Sequence, residues 1–290
     1  MDPSLLFPPN AIQTLVRQWL DEDIPSFDYG GAVVGNDIKT AHLLGKQRGI
    51  FSGAPFFNEI FTQLNCKITW FIKDGQEFNL DSNGKPFVLA HVTGPSRNIL
   101  VGERLSLNIL ARASGIATRA KEMRDLVDQV QWKGKVAGTR KTTPGFRLVE
   151  KYSLLVGGLD THRMDLSSMI MLKDNHIWSC GSITNAVHSA RSLGGFSLKI
   201  EVECQNKQEA IEAIDAGANV VMLDNYTPDR LAQDSKELKQ LYPHIIIEAS
   251  GGITPSTIQQ YALPTVDIIS MGNLTQGVPH IDISLKIQKQ

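Results

Sequence analysis

Cysteine is scarce in this sequence, and so is any excess of charge of one sign. The 290 residues contain three cysteines, Cys66, Cys180 and Cys204. An odd number of widely separated cysteines provides neither a disulfide framework nor a paired metal-binding motif, which indicates a reducing compartment. The chain carries 29 Lys and Arg against 30 Asp and Glu, a net charge of -1. Proteins that bind nucleic acids normally show a clear basic excess, so we expect no nucleic-acid partner.

Long apolar runs are also missing from the sequence. None approaches the ~18 residues that a membrane span needs, so we expect no membrane-spanning segment. The amino-terminal stretch MDPSLLFPPNAIQTLVRQWL has an acid at Asp2 and no cation before Arg17. Signal and transit peptides carry basic residues early, so this stretch predicts neither. We therefore expect a cytosolic protein, and nothing in the sequence excludes entry into the nucleus.

The first part of the chain mixes helical and strand patterns. Asn10 is placed to cap a helix over AIQTLVRQWLDED, in which apolar residues recur at helical spacing. The stretches CKITWFIKDG and PFVLAHVTGP are typical of strands that end in turns. A long helical pattern follows, NILVGERLSLNILARASGIATRAKEMRDLVDQV, interrupted near Ser114 and Gly115. We place a domain boundary close to this interruption, between a first domain over 1–117 and a second over 118–275.

Six short apolar runs recur in the second part, separated by helical patterns: KVAGT, SMIMLKD, LKIEVEC, NVVMLDN, HIIIEAS and VDIISMG. Alternation of strand and helix predicts parallel strands joined by crossover helices. Almost every run ends in polar or charged residues of the kind found in binding sites. In an α/β barrel the carboxyl ends of the strands meet at one mouth, whereas an open doubly wound sheet draws its site from fewer strands. Six converging strand ends favour the barrel.

The run LKIEVEC alternates charged and apolar residues. Because side chains alternate along a strand, Lys199, Glu201 and Glu203 share one face. A solvated edge strand alternates in the same way, but the neighbouring runs are typical of fully buried parallel strands. We expect the charged face to point into the barrel, with Lys199 paired to Glu201 and Glu203 available for a ligand at the mouth.

Asp224 ends the run NVVMLDN. It is able to cap the following helix, although Asn225 or Thr227 could do this instead, with Pro228 in the first turn. The two carboxylates at neighbouring strand ends, Glu203 and Asp224, suit a ribose or a magnesium ion, since both prefer hard oxygen atoms.

Glycine-containing loops follow the last two runs. Ser250, Gly251 and Gly252 allow backbone N–H groups to approach an anion, and Thr254 is placed to cap a helix that directs its positive end to the same point. The SMGN loop at 270–273 is similar. Phosphate sites in barrels commonly follow the late strands, so we interpret these loops as a phosphate site. A glycine-rich turn without a ligand is the alternative.

Basic residues cluster at or just after the first two runs: Arg140, Lys141, His162, Arg163 and Lys173. Several cations in one concave site predict a ligand with several negative charges. Arginine suits carboxylates because it binds them with two parallel hydrogen bonds, and lysine suits phosphate as a point charge.

Other basic residues near this cluster have simpler interpretations. Arg147 and Lys151 are expected on a solvated face, where charge runs usually lie. His176 in KDNHIW is expected at the start of a helix. The remaining histidines lack partners at metal-ligand spacing, so the sequence predicts no zinc site.

The stretches AGTRKTTPGFRLVEKY, GGLDTHRMDLSSMIMLKDNHI, KIEVEC, VMLDN and EASGGI, in this order and spacing, resemble the quinolinate phosphoribosyltransferase family. The resemblance extends over essentially the whole chain, including GERLSLNILARASGIAT in its first part. It implies an amino-terminal α/β sandwich domain, an incomplete, open α/β barrel of parallel strands, and a return of 276–290 to the first domain. It also implies a homodimer as the minimal unit, hexamers in eukaryotic members, and an active site that Arg104 of a neighbouring subunit completes.

The same resemblance implies a reaction and assigns residues to it. The family transfers the phosphoribosyl group of phosphoribosyl pyrophosphate (PRPP) to quinolinate with decarboxylation, which gives nicotinate mononucleotide, carbon dioxide and pyrophosphate in NAD biosynthesis. The residues that match the quinolinate site are Arg104, Arg140, His162, Arg163 and Lys173. Those that match the PRPP site are Lys141, Glu203, Asp224, Ser250, Gly251, Gly252, Met271 and Gly272, with Glu203 and Asp224 at its magnesium ion. The expected catalytic residues are Lys141, Lys173, Glu203 and Asp224.

Two other functions stay open at this point. A nicotinate phosphoribosyltransferase, which omits decarboxylation, would need fewer cations around the pyridine. A barrel that binds phosphorylated metabolites without catalysis would not need Lys141, Glu203 and Asp224, and their presence argues against it.

Overall fold

The computed structural model describes residues 2–8 and 10–289. The helices are α1 Ala11–Asp23, α2 Tyr29–Val34, α3 Ala54–Gln63, α4 Ser96–Gln129, α5 Arg147–Val156, α6 Asp174–Cys180, α7 Ile183–Gly194, α8 Lys207–Asp215, α9 Pro228–Leu241 and α10 Ile258–Tyr261. The strands are β1 Ile38–Gly45, β2 Gly49–Ile50, β3 Lys67–Trp70, β4 Glu77–Phe78, β5 Phe87–Pro95, β6 Lys135–Ala137, β7 Ile170–Leu172, β8 Ile200–Cys204, β9 Val220–Asp224, β10 Ile246–Ser250, β11 Ile268–Ser270 and β12 Ile283–Ile287. Short 3-10 helices cover Pro3–Leu6 and Gly272–Leu274.

The chain forms two compact units. The first consists of Met1–Lys121, Thr143–Gly158 and Gly277–Gln290, and the second of Glu122–Thr142 and Leu159–Gln276. This division differs from the ranges expected from the sequence, because the first unit extends beyond residue 117 and also contains α5. Val149 and Tyr152 of α5 are buried in the hydrophobic core of the first unit, which explains why this helix belongs to it.

The first unit contains a four-stranded antiparallel sheet in the order β12-β1-β5-β3. The outer strand β12 comes from the carboxyl terminus and pairs with β1, with Leu285 opposite Leu43. Helix α3 contributes buried aromatic side chains to the core, among them Phe56, Phe57 and Phe61. Burial of such large apolar surfaces is the main favourable contribution to folding of this unit.

Helix α4 continues without a break through Ser114 and Gly115, so the interruption expected there is wrong. Both residues are small because the chain packs closely against them. A Cβ on Gly115 would lie 2.2 Å from the carbonyl oxygen of Pro279, and the Ser114 hydroxyl accepts a hydrogen bond from Ser52 N at 3.1 Å. A helix tolerates one glycine at a cost of about 1 kcal/mol, and the close approach explains its presence.

The second unit contains a six-stranded parallel sheet in the order β6-β11-β10-β9-β8-β7, and each of the six apolar runs forms one of its strands. The two edge strands, β6 and β7, are not paired with each other among the described residues, although Ala137 of β6 forms a parallel bridge with Asp160. The predicted incomplete α/β barrel is therefore confirmed. All six strands bring their carboxyl ends to the same edge of the sheet, as parallel strands must.

Among residues 2–8 and 10–289, no helix is both long enough and apolar enough to cross a bilayer.

Candidate active site

The carboxyl ends of the parallel strands surround a cavity of about 690 Å³, a volume typical of small-ligand sites. Strand pairing places Asp224, Ser250 and Ser270 side by side at its edge. The lining contains twelve residues that the sequence assigned to substrates: Arg140, Lys141, His162, Arg163, Lys173, Glu203, Asp224, Ser250, Gly251, Gly252, Met271 and Gly272. Residues that are far apart in the sequence thus meet around one hollow.

Arg163 is a half-buried cation on the basic side of this cavity. Burial and the positive charge of Arg140 lower the pKa of its guanidinium, while Glu201 and Glu248 act in the opposite direction. Arginine nevertheless stays protonated in proteins. The Arg163 guanidinium donates to the carbonyl oxygen of Met169 at 3.2 Å. An anion bound here would relieve the repulsion between the two guanidinium groups, so the cavity favours a negatively charged ligand.

Glu203 and Asp224 form the acidic side of the same cavity. Burial and the negative charge of Glu203 raise the pKa of Asp224, whereas Lys173 and Lys141 act in the opposite direction. Lys173 Nζ forms a salt bridge with Glu203. Two neighbouring carboxylates supply hard oxygen atoms and excess negative charge, so this donor set fits a magnesium ion. Capping of α9 is not the role of Asp224, since Thr227 holds the cap position with Pro228 as the first helical residue.

Two glycine loops and a lysine form a third side of the cavity. Gly251 and Gly252 adopt left-handed backbone conformations, with φ of 91° and 66°. A Cβ on Gly251 would lie 2.3 Å from Asn225 Oδ1, whereas Gly252 faces open space. A Cβ on Gly272 would lie 3.0 Å from Lys141 Cδ, so this lysine lies directly over the second loop. Exposed backbone N–H groups beside a lysine are well suited to a phosphate.

The helix expected to begin at Thr254 is wrong. Residues 255–257 form a turn, and α10 begins only at Ile258 and has four residues. The carbonyl oxygen of Thr254 accepts from Thr257 N at 3.0 Å, and Thr254 N donates to the Thr257 hydroxyl at 3.0 Å. These local hydrogen bonds stabilise the turn in place of a helix. Attraction for an anion at this point therefore comes from the loops and Lys141, without a helix dipole.

The charged face of β8 points into the barrel as predicted. Glu203 lines the cavity at the mouth, and Glu201 is fully buried one pleat below it. The expected pairing of Lys199 with Glu201 is wrong, because the nearest ion-pair partner of Glu201 in the described chain is His162, with Nε2 at 3.7 Å from Oε2. Burial and the charge of Glu248 raise the pKa of Glu201 well above that of an ordinary glutamic acid.

His162 lines the cavity, yet both of its ring nitrogens already have partners within the protein. Nδ1 accepts a hydrogen bond from Arg163 N at 2.8 Å, and Nε2 lies 2.9 Å from Glu248 Oε2. The predicted contact of His162 with a substrate carboxylate would therefore require one of these hydrogen bonds to be exchanged.

Several other sequence-predicted residues lie elsewhere. Arg104 is exposed on α4 and is not among the lining residues in the described chain. Lys151 is fully buried, so its expected place on a solvated face is wrong, while Arg147 is partly buried. His176 lies in the first turn of α6, where its Nδ1 accepts from Lys173 N at 3.1 Å, which confirms the helix-start interpretation.

Glu248 lines the cavity but was missed by the sequence reasoning, and Asn225, which the sequence offered as a helix cap, lines it as well. Asn225 has φ of 55° and donates from its amide to Asp224 Oδ2 at 2.6 Å. Glu248 is fully buried in the centre of β10. A charged residue inside the apolar run HIIIEAS was the available signal, since a buried carboxylate requires a partner or a function.

Comparison with known proteins agrees with this geometry. The sequence models of the quinolinate phosphoribosyl transferase N-terminal and C-terminal domains match residues 29–114 and 116–286. The chain is 68% identical to a nicotinate-nucleotide pyrophosphorylase [carboxylating] of Dictyostelium discoideum, with 100% of both chains covered. It is 47% identical to that of Homo sapiens, over 98% of this chain and 94% of the relative. The structure of the nicotinate-nucleotide pyrophosphorylase from Francisella tularensis superimposes with a TM-score of 0.87 at 34% identity, over 97% of this chain and 98% of that one. The chain belongs to the quinolinate phosphoribosyltransferase family.

Proposed function

We propose that this chain transfers the phosphoribosyl group of PRPP to quinolinate and decarboxylates the product, giving nicotinate mononucleotide, carbon dioxide and pyrophosphate. The observation that carries the proposal is the composition of the 690 Å³ cavity, in which four Lys and Arg side chains, three carboxylates and two glycine loops meet. A dicarboxylate and a pyrophosphate together require this number of cations. The relatives that share the whole length of the chain carry the name of this activity.

Quinolinate would lie on the basic side of the cavity. Its ring nitrogen must attack C1 of the ribose, which requires the ring to be held in one orientation. Arg140, Arg163 and Lys173 would bind the two adjacent carboxylates, and arginine forks fix a carboxylate in direction as well as in position. Holding two reactants in attack geometry supplies a large part of the rate enhancement in such a transfer.

PRPP would lie against the acidic side and the glycine loops. Negative charge accumulates on the departing pyrophosphate, and Lys141 is placed to stabilise it. Glu203 and Asp224 would stabilise the positive charge that develops on the sugar, and they would hold the magnesium ion, whose chemistry is to neutralise pyrophosphate charge. The loops at Gly251 and Gly272 would bind the 5-phosphate through backbone N–H groups.

Decarboxylation would follow from the chemistry of the bound ring. Once the ring nitrogen carries the ribose it is positively charged, and the electrons left at C2 by departing carbon dioxide are stabilised beside it. The protein orients the ring, and a proton from solvent then takes the place of carbon dioxide at C2. Cleavage of the bond therefore requires neither a covalent nucleophile nor a general base.

The assembly we propose is a homodimer as the minimal unit, with a hexamer as the complete form. Each active site would contain Arg104 from the neighbouring subunit. The support for this is that Arg104 is exposed on α4 and separate from the cavity lining of its own chain, although the family resemblance assigns it to quinolinate. We also propose a cytosolic location, with access to the nucleus.

The reaction is tested by incubating the purified protein with PRPP, magnesium and quinolinate labelled in the 2-carboxylate. We expect labelled carbon dioxide and nicotinate mononucleotide in equal amounts. A nicotinate phosphoribosyltransferase would instead use nicotinate and release no label. If the substrates bind but neither carbon dioxide nor nicotinate mononucleotide forms, the protein binds these metabolites without catalysing the reaction. Omission of magnesium in a parallel reaction tests the metal requirement.

A further inference from the structure

His162 forms hydrogen bonds through its backbone N–H, its carbonyl oxygen and both ring nitrogens. Its backbone N donates to Asp160 Oδ1 at 2.9 Å, and its carbonyl oxygen accepts from the Thr161 hydroxyl at 2.7 Å. Its ring Nδ1 accepts from Arg163 N at 2.8 Å. Because a backbone N–H can only donate, Nδ1 carries no proton, and the ring proton is on Nε2. This proton is donated to Glu248 Oε2, at 2.9 Å from Nε2.

The backbone at His162 also requires support. Its φ is 55°, in the left-handed region that residues other than glycine seldom adopt. Such a conformation persists where surrounding contacts hold it in place. The bridge between Asp160 and Ala137 ties the start of this segment to β6. Glu248 holds the His162 ring itself, because it lies in β10 and reaches Nε2 from 86 residues further along the chain.

A glutamate at position 248 is unfavourable for the free energy of folding. It is fully buried, and its Oε1 has no hydrogen-bond partner among the described residues. The adjacent Glu201 is also fully buried, and neither of its carboxyl oxygens has a hydrogen-bond partner there. Burial of unpaired polar atoms disfavours folding, so packing alone does not explain a glutamate in this strand. The hydrogen bond between Glu248 and His162 fixes the ring, and the ring in turn holds the backbone N–H of Arg163.

We propose that Glu248 is a positioning residue for the dicarboxylate substrate: it fixes the His162 ring, and the ring holds the backbone N–H of Arg163, which places this residue to bind a substrate carboxylate. This rests on the proposed function, in which Arg163 binds quinolinate. Glu248 acts through His162, since direct contact between its carboxylate and a dicarboxylate would be repulsive. Its loss therefore weakens binding of the dicarboxylate and leaves binding of PRPP unchanged.

Two substitutions of similar size separate this role from a general structural one. Glu248→Gln keeps a carbonyl oxygen that accepts from His162 Nε2, whereas Glu248→Met fills the same volume and cannot accept. Glu201→Met is the matched control: Glu201 is equally buried in the neighbouring cluster, but its nearest oxygen is 3.7 Å from Nε2. For each full-length variant we would measure kcat, the KM of both substrates, the thermal midpoint, and the Kd of benzene-1,2-dicarboxylate by calorimetry.

We expect Glu248→Met to raise the KM for quinolinate and the Kd for benzene-1,2-dicarboxylate at least about tenfold, which is the effect of losing about 1.4 kcal/mol of binding free energy. Its KM for PRPP and its thermal midpoint should stay close to those of the wild type. Glu248→Gln should rescue dicarboxylate binding to within about threefold, and Glu201→Met should leave it unchanged.

Unchanged dicarboxylate affinity in Glu248→Met would overturn the proposal. Equal losses in Glu248→Gln and Glu248→Met, or equal weakening of both substrates, would do the same. His162, Glu201 and Glu248 offer ligand atoms within 4.8 Å of one another. A stoichiometric metal ion on these three groups, detected by elemental analysis, would also overturn it, because Nε2 could then not donate. Failure of the wild type to form product counts against the proposed function alone, since the calorimetric comparison needs no turnover.

Discussion

Lys173 and Glu203 form a salt bridge at the mouth of the barrel, although the proposed reaction places them on different substrates. The Lys173 side chain is 44% exposed and that of Glu203 only 11%, so the bridge is partly shielded from water. In the free protein each residue compensates the charge of the other. Quinolinate would compete for the lysine and the magnesium complex of PRPP for the glutamate, so binding of either substrate would release a group that the other needs.

Replacing Lys173 with methionine separates these two roles. We expect the Kd for quinolinate to rise at least about tenfold, because a charge-assisted hydrogen bond contributes roughly 1.5–3 kcal/mol. Affinity for PRPP with magnesium should not fall, because Glu203 no longer has a competing cation. Calorimetry with each substrate alone measures both values. Lys207→Met is the control, since Lys207 forms a comparable salt bridge with Glu237 on other helices. A variant that loses PRPP and keeps quinolinate would contradict the assignment.

The glycines of the phosphate loop provide a second test. Gly251→Ala introduces a Cβ 2.3 Å from Asn225 Oδ1 at a φ of 91°, so the loop or the end of β9 must move. We expect the KM for PRPP to rise at least about tenfold, since the backbone N–H groups would lose their alignment. Gly252→Ala is the matched control, because it has the same kind of left-handed φ with nothing within 4 Å. Steady-state kinetics at saturating quinolinate measures the KM for PRPP of both variants.

Gly252→Ala should therefore cost stability, by about 1 kcal/mol, and affect PRPP less than Gly251→Ala does. Equal effects of the two substitutions on the KM for PRPP would show that backbone strain, and not contact with Asn225, controls this loop.

Much of the second unit could be predicted from the sequence because its signals are local. Each parallel strand is a short apolar run, and the residues that end or follow the run must lie at the mouth, which is why Lys173 and Asp224 could be placed in one cavity from the sequence alone. Glu248 escaped notice because its function depends on a contact with His162, 86 residues away, that no local pattern reveals.

The wrong predictions have a common physical cause. The sequence predicts a helix break at Gly115, but a close contact with the carbonyl oxygen of Pro279 explains this glycine. The sequence predicts Lys151 on a solvated face, yet it is fully buried. Thr254 has the sequence signature of a helix start, but its hydrogen bonds with Thr257 form a turn. Helix and surface preferences of single residues are worth only about 1 kcal/mol, so close packing or a few hydrogen bonds override them.

The first unit offers a test of stability against pH. Asp74 accepts hydrogen bonds from the Tyr152 hydroxyl and from Gly53 N and Ala54 N. Burial nevertheless raises the pKa of its carboxyl above the ordinary value of 3.8, because desolvation outweighs these hydrogen bonds. The folded state therefore binds a proton more tightly than the unfolded state. The contribution of Asp74 to stability must fall as pH rises from 3.8 to the folded pKa, and must be constant above it.

Asp74→Asn removes this dependence. We expect the unfolding free energy of the wild type minus that of the variant to decline with rising pH, by at most about 1.4 kcal/mol per pH unit, and then to level off. Urea unfolding between about pH 3.5 and 7 measures it. A difference that grows with pH in this range would mean that folding stabilises the Asp74 carboxylate, so that its three hydrogen bonds outweigh the cost of burial.

Arg104 provides the test of a shared active site. If each site combines Arg104 of one subunit with the cavity of the other, Arg104→Ala and Lys173→Ala are each inactive alone. A mixed dimer of the two variants has one site that lacks both Arg104 and Lys173 and one site in which both residues are intact. Random mixing in equal amounts makes half of the dimers mixed, so about a quarter of the wild-type activity should return.

The matched control mixes Lys173→Ala with Glu203→Gln. Both residues line the same cavity of one chain, so every site in every mixed dimer lacks one of them, and no activity should return. Differently tagged subunits that purify together establish that exchange has taken place. With exchange established, recovery in the first mixture and not in the second identifies Arg104 as a residue supplied across the interface. No recovery in the first mixture would instead confine the site to a single chain, since complementation requires that the two lesions fall in different subunits of one site.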